Sequence, residues 1–573
     1  MTRQKSQLIL PRSHFPLSRR ALIGTALAGG FLAACSKSAT GAAASGPPVV
    51  ETSFGKIQGV VEKGVNVFKG VPYGASTAPP NRFRAPRAPE PWTGVRETVA
   101  FGPWSPQGAN TAPFPPREDS PADLADATPR RLINNLPSGT GPGEDCLVLN
   151  VWSPALDGAK RPVLVWLHGG GFSSGSGSST WYDGVNMASK QDVVVVTINH
   201  RLNVMGYLYL GDLGGGEFAD SSSAGMLDCV LALQWVKDNI ERFGGDPSRV
   251  LIFGESGGAR KTSTMMAIPQ AQGLFHRCVV QSGSQLTLDT PEVAMERTEK
   301  FLKAVGVDKA DVAKLQDLTL DQLLGAVAGA VQGTGQFRPV AGAPSTPRHP
   351  FHPDAPPISA SVPMMIGSNR TEQSVFMGGN AEIVNLDDAG LYQRLTANWI
   401  PEKDKADVIA MYRRLYPGVR NDELLYMATT DRGYFLDSTI QAALKSQQGG
   451  APAFHYQFYR ETPVEGGRYH VPHASEIPFI FDNLDKAISI GGQPTPEAQK
   501  LADQMSATWA AFARTGDPNH EGLPNWPAYS ADVRPSMIFD IETRVENDPR
   551  SEQRKRMLAI GSQQHQGREV API

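Results

Sequence analysis

Phe243-Gly244-Gly245-Asp246-Pro247-Ser248-Arg249-Val250-Leu251-Ile252-Phe253-Gly254-Glu255-Ser256-Gly257-Gly258 decides how the rest of the chain is read. Val250 to Phe253 is a continuous apolar run of the kind that forms a parallel strand buried on both faces. It breaks at Gly254-Glu255-Ser256-Gly257-Gly258, and Ala259 to Ala267 is helix-compatible. Strand, G-x-S-x-G and helix together make a nucleophile elbow, in which a serine is held at the tip of a sharp, strained turn. Side chains two positions to either side of that serine would strike neighbouring elements, hence Gly254 and Gly258. The helix that follows aims its first N–H groups at the serine, so the Gly257 amide can meet a developing oxyanion.

The pentapeptide alone is weak, because Gly171-Phe172-Ser173-Ser174-Gly175 repeats it. That copy runs on into Gly and Ser instead of a helix and reads as a loop. Context selects Ser256.

Upstream, Val163 to Leu167 is a second buried strand pattern, ending at His168-Gly169-Gly170-Gly171-Phe172. Glycines leave the backbone amides bare, so Gly170 and Gly171 can approach an alkoxide at hydrogen-bond distance; one such donor is typically worth about 3 kcal/mol of barrier. Val193 to Ile198 is the next strand, and Met226, Leu227, Val230, Leu233, Val236 and Ile240 recur at helical spacing across Ala224 to Phe243. Such alternation implies an α/β fold around a large, mostly parallel sheet.

Composition is ordinary for a globular chain of 573 residues: 40% apolar, 19% charged, net charge -3. Lacking a basic excess, it does not read as a nucleic-acid binder. Length is compatible with one α/β catalytic domain carrying insertions.

The N-terminus reads as an export signal rather than as fold. Arg19-Arg20 precedes the small, apolar run Ala21 to Ala34, which is too short to span a bilayer. Ser18 to Ile23 resembles a twin-arginine signal, and Leu32-Ala33-Ala34-Cys35 resembles a lipobox. Residues 1–35 are thus expected to direct export with Cys35 lipidated; an ordinary cleavage within Ala39 to Ser45 and an uncleaved anchor are the alternatives. Residues 36–48 read as a flexible tether. Cys146, Cys229 and Cys278 lack metal-ligand spacing, and their odd number excludes a dense disulfide framework.

From the elbow outward, the chain resembles the type-B carboxylesterases, the α/β-hydrolase family that includes cholinesterases, bacterial p-nitrobenzyl esterases and the non-catalytic neuroligins. Phe68 to Gly74, Arg82 to Pro86 with Trp92, Phe101 to Gln107, Glu144 to Asn150, and Phe512 to Asn519 with Trp526-Pro527 extend the resemblance over residues 49 to about 540. It implies N-terminal hairpins and helical cap insertions near residues 285–340 and 377–450 within a catalytic domain of 49–573. It also implies a disulfide partner for Cys146 at position 105, where this chain has Ser105, so that bridge is expected to be absent. No tryptophan occurs between Ser105 and Val151, which argues against quaternary-ammonium recognition.

The resemblance further implies site residues. Gly170, Gly171 and Gly257 form the oxyanion hole, and Glu255 stands beside the nucleophile. The acid is Glu372, three residues after Asn369. The base is His473 in His473-Ala474-Ser475-Glu476, in preference to His470. Ser282 matches a serine that hydrogen-bonds the acid, a strand-end serine bonded to backbone being the alternative. Arg260 and Lys261 depart from the usual small residues; they would pair with an acidic substrate group or, as the favoured expectation, form a structural ion pair.

The order Ser256, Glu372, His473 is that of α/β-hydrolases. Serine ester hydrolysis through an acyl-enzyme follows, acting on a small-molecule ester with no cofactor and no metal, and touching membrane only through the lipid anchor. Acyl transfer and amide or carbamate hydrolysis use the same chemistry. A non-catalytic binding module is the reading from another class; it would be expected to lose triad residues, and this chain keeps all three.

Overall fold

The computed structural model describes residues 46–107, 133 and 137–565. The export signal with Cys35 and most of the tether lie outside the described residues. From Pro47 onward the chain forms one compact unit.

Fourteen strands are present among the described residues. The N-terminal hairpins supply β1 (Val49–Thr52), β2 (Gly55–Gln58), β3 (Val60–Glu62) and β4 (Val65–Pro72), followed by β5 (Val95–Glu97). The main run is β6 (Val148–Ser153), β7 (Arg161–Leu167), β8 (Val194–Ile198), β9 (Gly245–Glu255), β10 (Arg277–Gln281), β11 (Met364–Asn369), β12 (Ala453–Phe458), β13 (Pro535–Phe539) and β14 (Arg544–Asn547). Strands β1, β2 and β5 make a small separate sheet; the other eleven lie in the order β14-β13-β12-β11-β10-β9-β7-β8-β6-β4-β3. The run from β13 to β8 is parallel throughout, and the strands beyond it at both edges are antiparallel. This is the mostly parallel α/β sheet expected from the sequence.

The continuous apolar runs have a direct cause: the central strands are covered on both faces. Along β7, Val163, Val165 and Leu167 join one hydrophobic core while Leu164 and Trp166 join the other. Along β9, Val250 and Ile252 pack with the first set, Leu251 and Phe253 with the second. Trp166 anchors the second core, its ring centroid 4.9 Å from Phe253 and 5.1 Å from Phe481.

Ser105 Oγ accepts a hydrogen bond from Leu202 N at 3.1 Å, and Cys146, Cys229 and Cys278 are free and buried. Burial pushes each thiol up to about 12, so all three behave as small core residues at neutral pH.

The helix feeding the elbow strand, Ala224–Asn239, is clamped to the end of β8 by a buried ion pair. Arg201 Nη2 donates to Asp228 Oδ1 at 2.6 Å, and its backbone N and Nε both donate to Oδ2 at 2.9 Å. Asp228→Asn would leave a buried guanidinium without its counter-charge. It is expected to destabilise the fold by about 3–5 kcal/mol in urea unfolding; a loss below about 1 kcal/mol would contradict the clamp.

Candidate active site

The chemistry-bearing residues stand at the C-terminal ends of adjacent parallel strands, where open α/β sheets bind ligands. His168 to Gly171 follows β7, Ser256 follows β9, Ser282 follows β10, Glu372 follows β11, and His473 lies on the connection after β12.

Ser256 has φ 56 and ψ -119, the strained conformation expected of an elbow. Its N–H is held by Gln281 O at 2.8 Å on β10, and the helix Gly257–Met265 starts at once. Backbone packing explains the glycines. A Cβ on Gly254 would lie 2.5 Å from Leu167 O, and one on Gly258 only 1.8 Å from the same oxygen. Gly257 is equally constrained: its Cβ would fall 2.1 Å from Gly171 O and 2.4 Å from Gly171 N. The elbow and the glycine loop after β7 are therefore packed backbone to backbone, and the amides of Gly170, Gly171 and Gly257 share one neighbourhood.

Two side chains hold the glycine loop from opposite sides. Gln336 Oε1 accepts from Phe172 N at 2.9 Å and Ser173 Oγ at 3.0 Å. Lys261 Nζ donates to Gly171 O at 2.9 Å and His168 O at 3.1 Å. Lys261 is fully buried, and burial pulls its ammonium down to about 7. Among the described residues the ion pair expected for it is not formed; its partners are carbonyls. His200 stacks on His168 with centroids 4.6 Å apart, and burial together with the Lys261 charge depresses both rings.

His473 Nδ1 lies 2.6 Å from Glu372 Oε2, and Asn369 N donates to Glu372 Oε1 at 2.7 Å. His470, the competing histidine, lies instead 3.7 Å from Glu461. Glu255 Oε1 is 3.0 Å from His473 Nε2, without the alignment of a hydrogen bond, and Ser256 Oγ makes no hydrogen bond to Nε2. Burial pushes the Glu255 carboxyl well above the usual range, and burial with nearby Glu372 lifts Glu476 to about 7. Burial alone would depress His473, but Glu255, Glu372 and Glu476 outweigh it and raise the imidazole to about 9.

One expected contact is corrected. Ser282 Oγ is buried without a hydrogen-bond partner among the described residues and does not bond Glu372. The described bonds to Glu372 come from Asn369 and His473, while Ser282, at φ 52, is tied through its own N–H to Gly367 O at 2.9 Å.

Sequence reasoning missed three neighbours. Phe376 and Tyr434 pack on the His473 ring at 5.3 and 5.2 Å, and Gln336 braces the glycine loop. They come from regions without motifs, and no local signal marks them. Phe376 also borders a cavity of about 470 Å³ lined by Met377, Ile383, Trp399 and Leu425. A cavity of about 500 Å³ behind β10, lined by Met265, Phe275 and Val362, touches none of these groups.

A doubly covered parallel sheet, a strained serine elbow facing a glycine loop, and a carboxylate-held histidine define an α/β-hydrolase. Residues 46–557 match the model of the carboxylesterase family. The chain is 32% identical to a para-nitrobenzyl esterase of Bacillus subtilis over 89% of its length and 98% of that protein's, and 30% identical to a phenmedipham hydrolase of Pseudarthrobacter oxydans over 85% and 93%. Among solved structures it is similar to the Geobacillus stearothermophilus carboxylesterase EST55, with TM-score 0.74, 36% identity, and 89% and 99% of the two chains covered. This chain belongs to the carboxylesterase family, and it is a carboxylic-ester hydrolase.

A base at His473 works only when neutral, so kcat/KM should rise with pH through a limb above the usual histidine value near 6.5. In its ionised form Glu255 favours the imidazolium, so Glu255→Gln, which cannot ionise, lowers that pKa. The limb should move to lower pH by about one unit; an unmoved profile would show that Glu255 does not act on the base.

Proposed function

We propose that Ser256 is the nucleophile, His473 the general base and acid, and Glu372 the anion that orients His473. His473 takes the Ser256 proton as Oγ attacks the ester carbonyl, and returns it to the departing alcohol. Glu372, fixed by the Asn369 amide, sets the tautomer that leaves Nε2 facing the serine side and stabilises the imidazolium. The amides of Gly170, Gly171 and Gly257 bind the oxyanion of each tetrahedral intermediate. Water activated by His473 then releases the acid. Before attack, Ser256 Oγ must come into line with Nε2, in the space that Glu255 Oε1 borders.

The observation that carries this reading is the 2.6 Å contact of His473 with Glu372, built at the strand ends beside a serine held at φ 56. Segments 285–340 and 377–450 act as a cap: they send Gln336 to the glycine loop and Tyr434 to His473. In hydrolysis of short-chain p-nitrophenyl esters, Ser256→Ala should lower kcat by roughly 10³-fold or more and abolish the acyl-enzyme burst. Undiminished turnover would remove Ser256 as nucleophile.

For residues 1–48 we propose export and lipid anchoring at Cys35, supported by Arg19-Arg20 and Leu32-Ala33-Ala34-Cys35. In a bacterial host, the full chain should incorporate labelled palmitate and sediment with membranes, and Cys35→Ala should do neither. Label retained by Cys35→Ala would refute this site.

A further inference from the structure

Arg260 stands out for a guanidinium without a partner among the described residues. It is half-buried on the first turn of the elbow helix, with its N–H bonded to Ser256 O at 3.0 Å. Its guanidinium makes no hydrogen bond or ion pair among the described residues, and its nitrogens are not among the solvent-sealed polar atoms. Two neighbouring arginines are engaged, Arg338 with Asp289 at 2.5 Å and Arg297 with the same carboxylate at 2.9 Å, whereas Arg432, on the turn that carries Tyr434, has Nε and Nη1 sealed from solvent and unpaired among the described residues. Asp437 lies near enough to act on Arg260 but accepts instead from Ser562 Oγ at 2.6 Å and Gln564 Nε2 at 2.7 Å.

Helical side chains lean toward the helix N-terminus, which here is Ser256. Burial acts most strongly on the Arg260 guanidinium, followed by nearby Tyr434, and the Tyr434 ring sits 5.2 Å from that of His473. Tyr434 is delivered by a π-helical turn, Asp431–Phe435, a distortion frequent at functional sites. That turn is fixed by Asp431, which accepts from Tyr412 Oη at 2.5 Å and pairs with Arg550. Tyr434 Oη likewise has no hydrogen-bond partner among the described residues. Two donors, a forked cation and a phenol, thus stand unpaired beside the reacting serine and histidine. A planar carboxylate is the group that such a pair recognises.

We infer that Arg260 and Tyr434 form a carboxylate subsite, so that the preferred substrates are esters carrying a free carboxylate a few atoms from the scissile carbonyl. This rests on the assignment of Ser256 as nucleophile. Half-esters of short dicarboxylic acids and acyl esters of hydroxy acids are the classes that fit.

The test compares matched pairs: p-nitrophenyl hydrogen glutarate against methyl p-nitrophenyl glutarate, and 4-acetoxybenzoate against its methyl ester. In at least one pair, the wild type should favour the acid by roughly 10-fold or more in kcat/KM, mainly through KM, and the preference should shrink as salt rises. Arg260→Gln should cancel or invert the acid-to-neutral ratio, Arg260→Lys should restore part of it, and Tyr434→Phe should reduce it. The ratio is internal to each protein, so lost folding does not mimic the effect, and the wild-type preference decides even if a variant fails to fold. Turnover of the methyl esters with no acid preference in either pair overturns the subsite alone. Failure of all four esters, with no Ser256-dependent burst, overturns the nucleophile assignment and the subsite with it.

Discussion

The structure depends on one close approach of backbone to backbone. The elbow after β9 and the glycine loop after β7 touch without intervening side chains, and Gly258 leaves no room for even a methyl group beneath Leu167 O. Strand pairing makes the contact possible: β7 and β9 are hydrogen-bonded neighbours in parallel register, Leu167 beside Gly254. Both loops therefore leave the sheet on the same side and at the same height. The strain at Ser256 is sustained because Gln281 on β10 holds its amide from the other flank. The sheet supplies the rigidity, and the glycines let its ends converge.

That convergence has an electrostatic consequence. Glu255, Glu372 and Glu476 are all buried around one imidazole, and three buried carboxylates cannot all remain ionised without compensation. The strain is divided unequally. Glu372 is held by a backbone amide and by His473, and Asn369 Nδ2 donates to Glu476 at 2.8 Å. Glu255 Oε1 lies 3.0 Å from His473 Nε2 and accepts no hydrogen bond among the described residues. The same environment that raises the His473 imidazole thus places a carboxylate at its Nε2, so the ionisation of Glu255 and the basicity of His473 are one coupled property.

How much of this the sequence carried follows from where the constraints are local. The central strands were legible because burial on both faces leaves uninterrupted apolar runs, and the elbow was legible because its glycines have no substitutes. His473 was preferred to His470 because Glu476 three residues after it matches the pattern of the family the chain resembles. The Ser282 contact failed because it concerned the direction of a hydroxyl, which depends on a strand-end φ that no motif encodes. Phe376, Tyr434 and Gln336 were invisible for a related reason. Each reaches the site from a helical region whose own pattern reflects packing against neighbours, and only tertiary structure brings them to the histidine.

Lys261 shows how a departure from the family pattern can be absorbed. A buried ammonium without a carboxylate is costly, and burial lowers its pKa accordingly. Two carbonyls of the glycine loop offset part of that cost, and the face of Phe172, 5.7 Å from Nζ, adds a further weak attraction. The same bonds fix the orientation of the Gly171–Phe172 peptide, whose carbonyl meets Lys261 while its N–H meets Gln336. That peptide is pinned at both ends, and among the described residues neither the Gly170 nor the Gly171 N–H has a backbone hydrogen bond of its own within the loop. His168 and His200 are held well below the usual histidine range, first by their burial and then by the Lys261 charge. A residue that sequence alone assigned to an ion pair therefore does its work through the backbone, holding in place a loop whose glycines would otherwise leave it free to move.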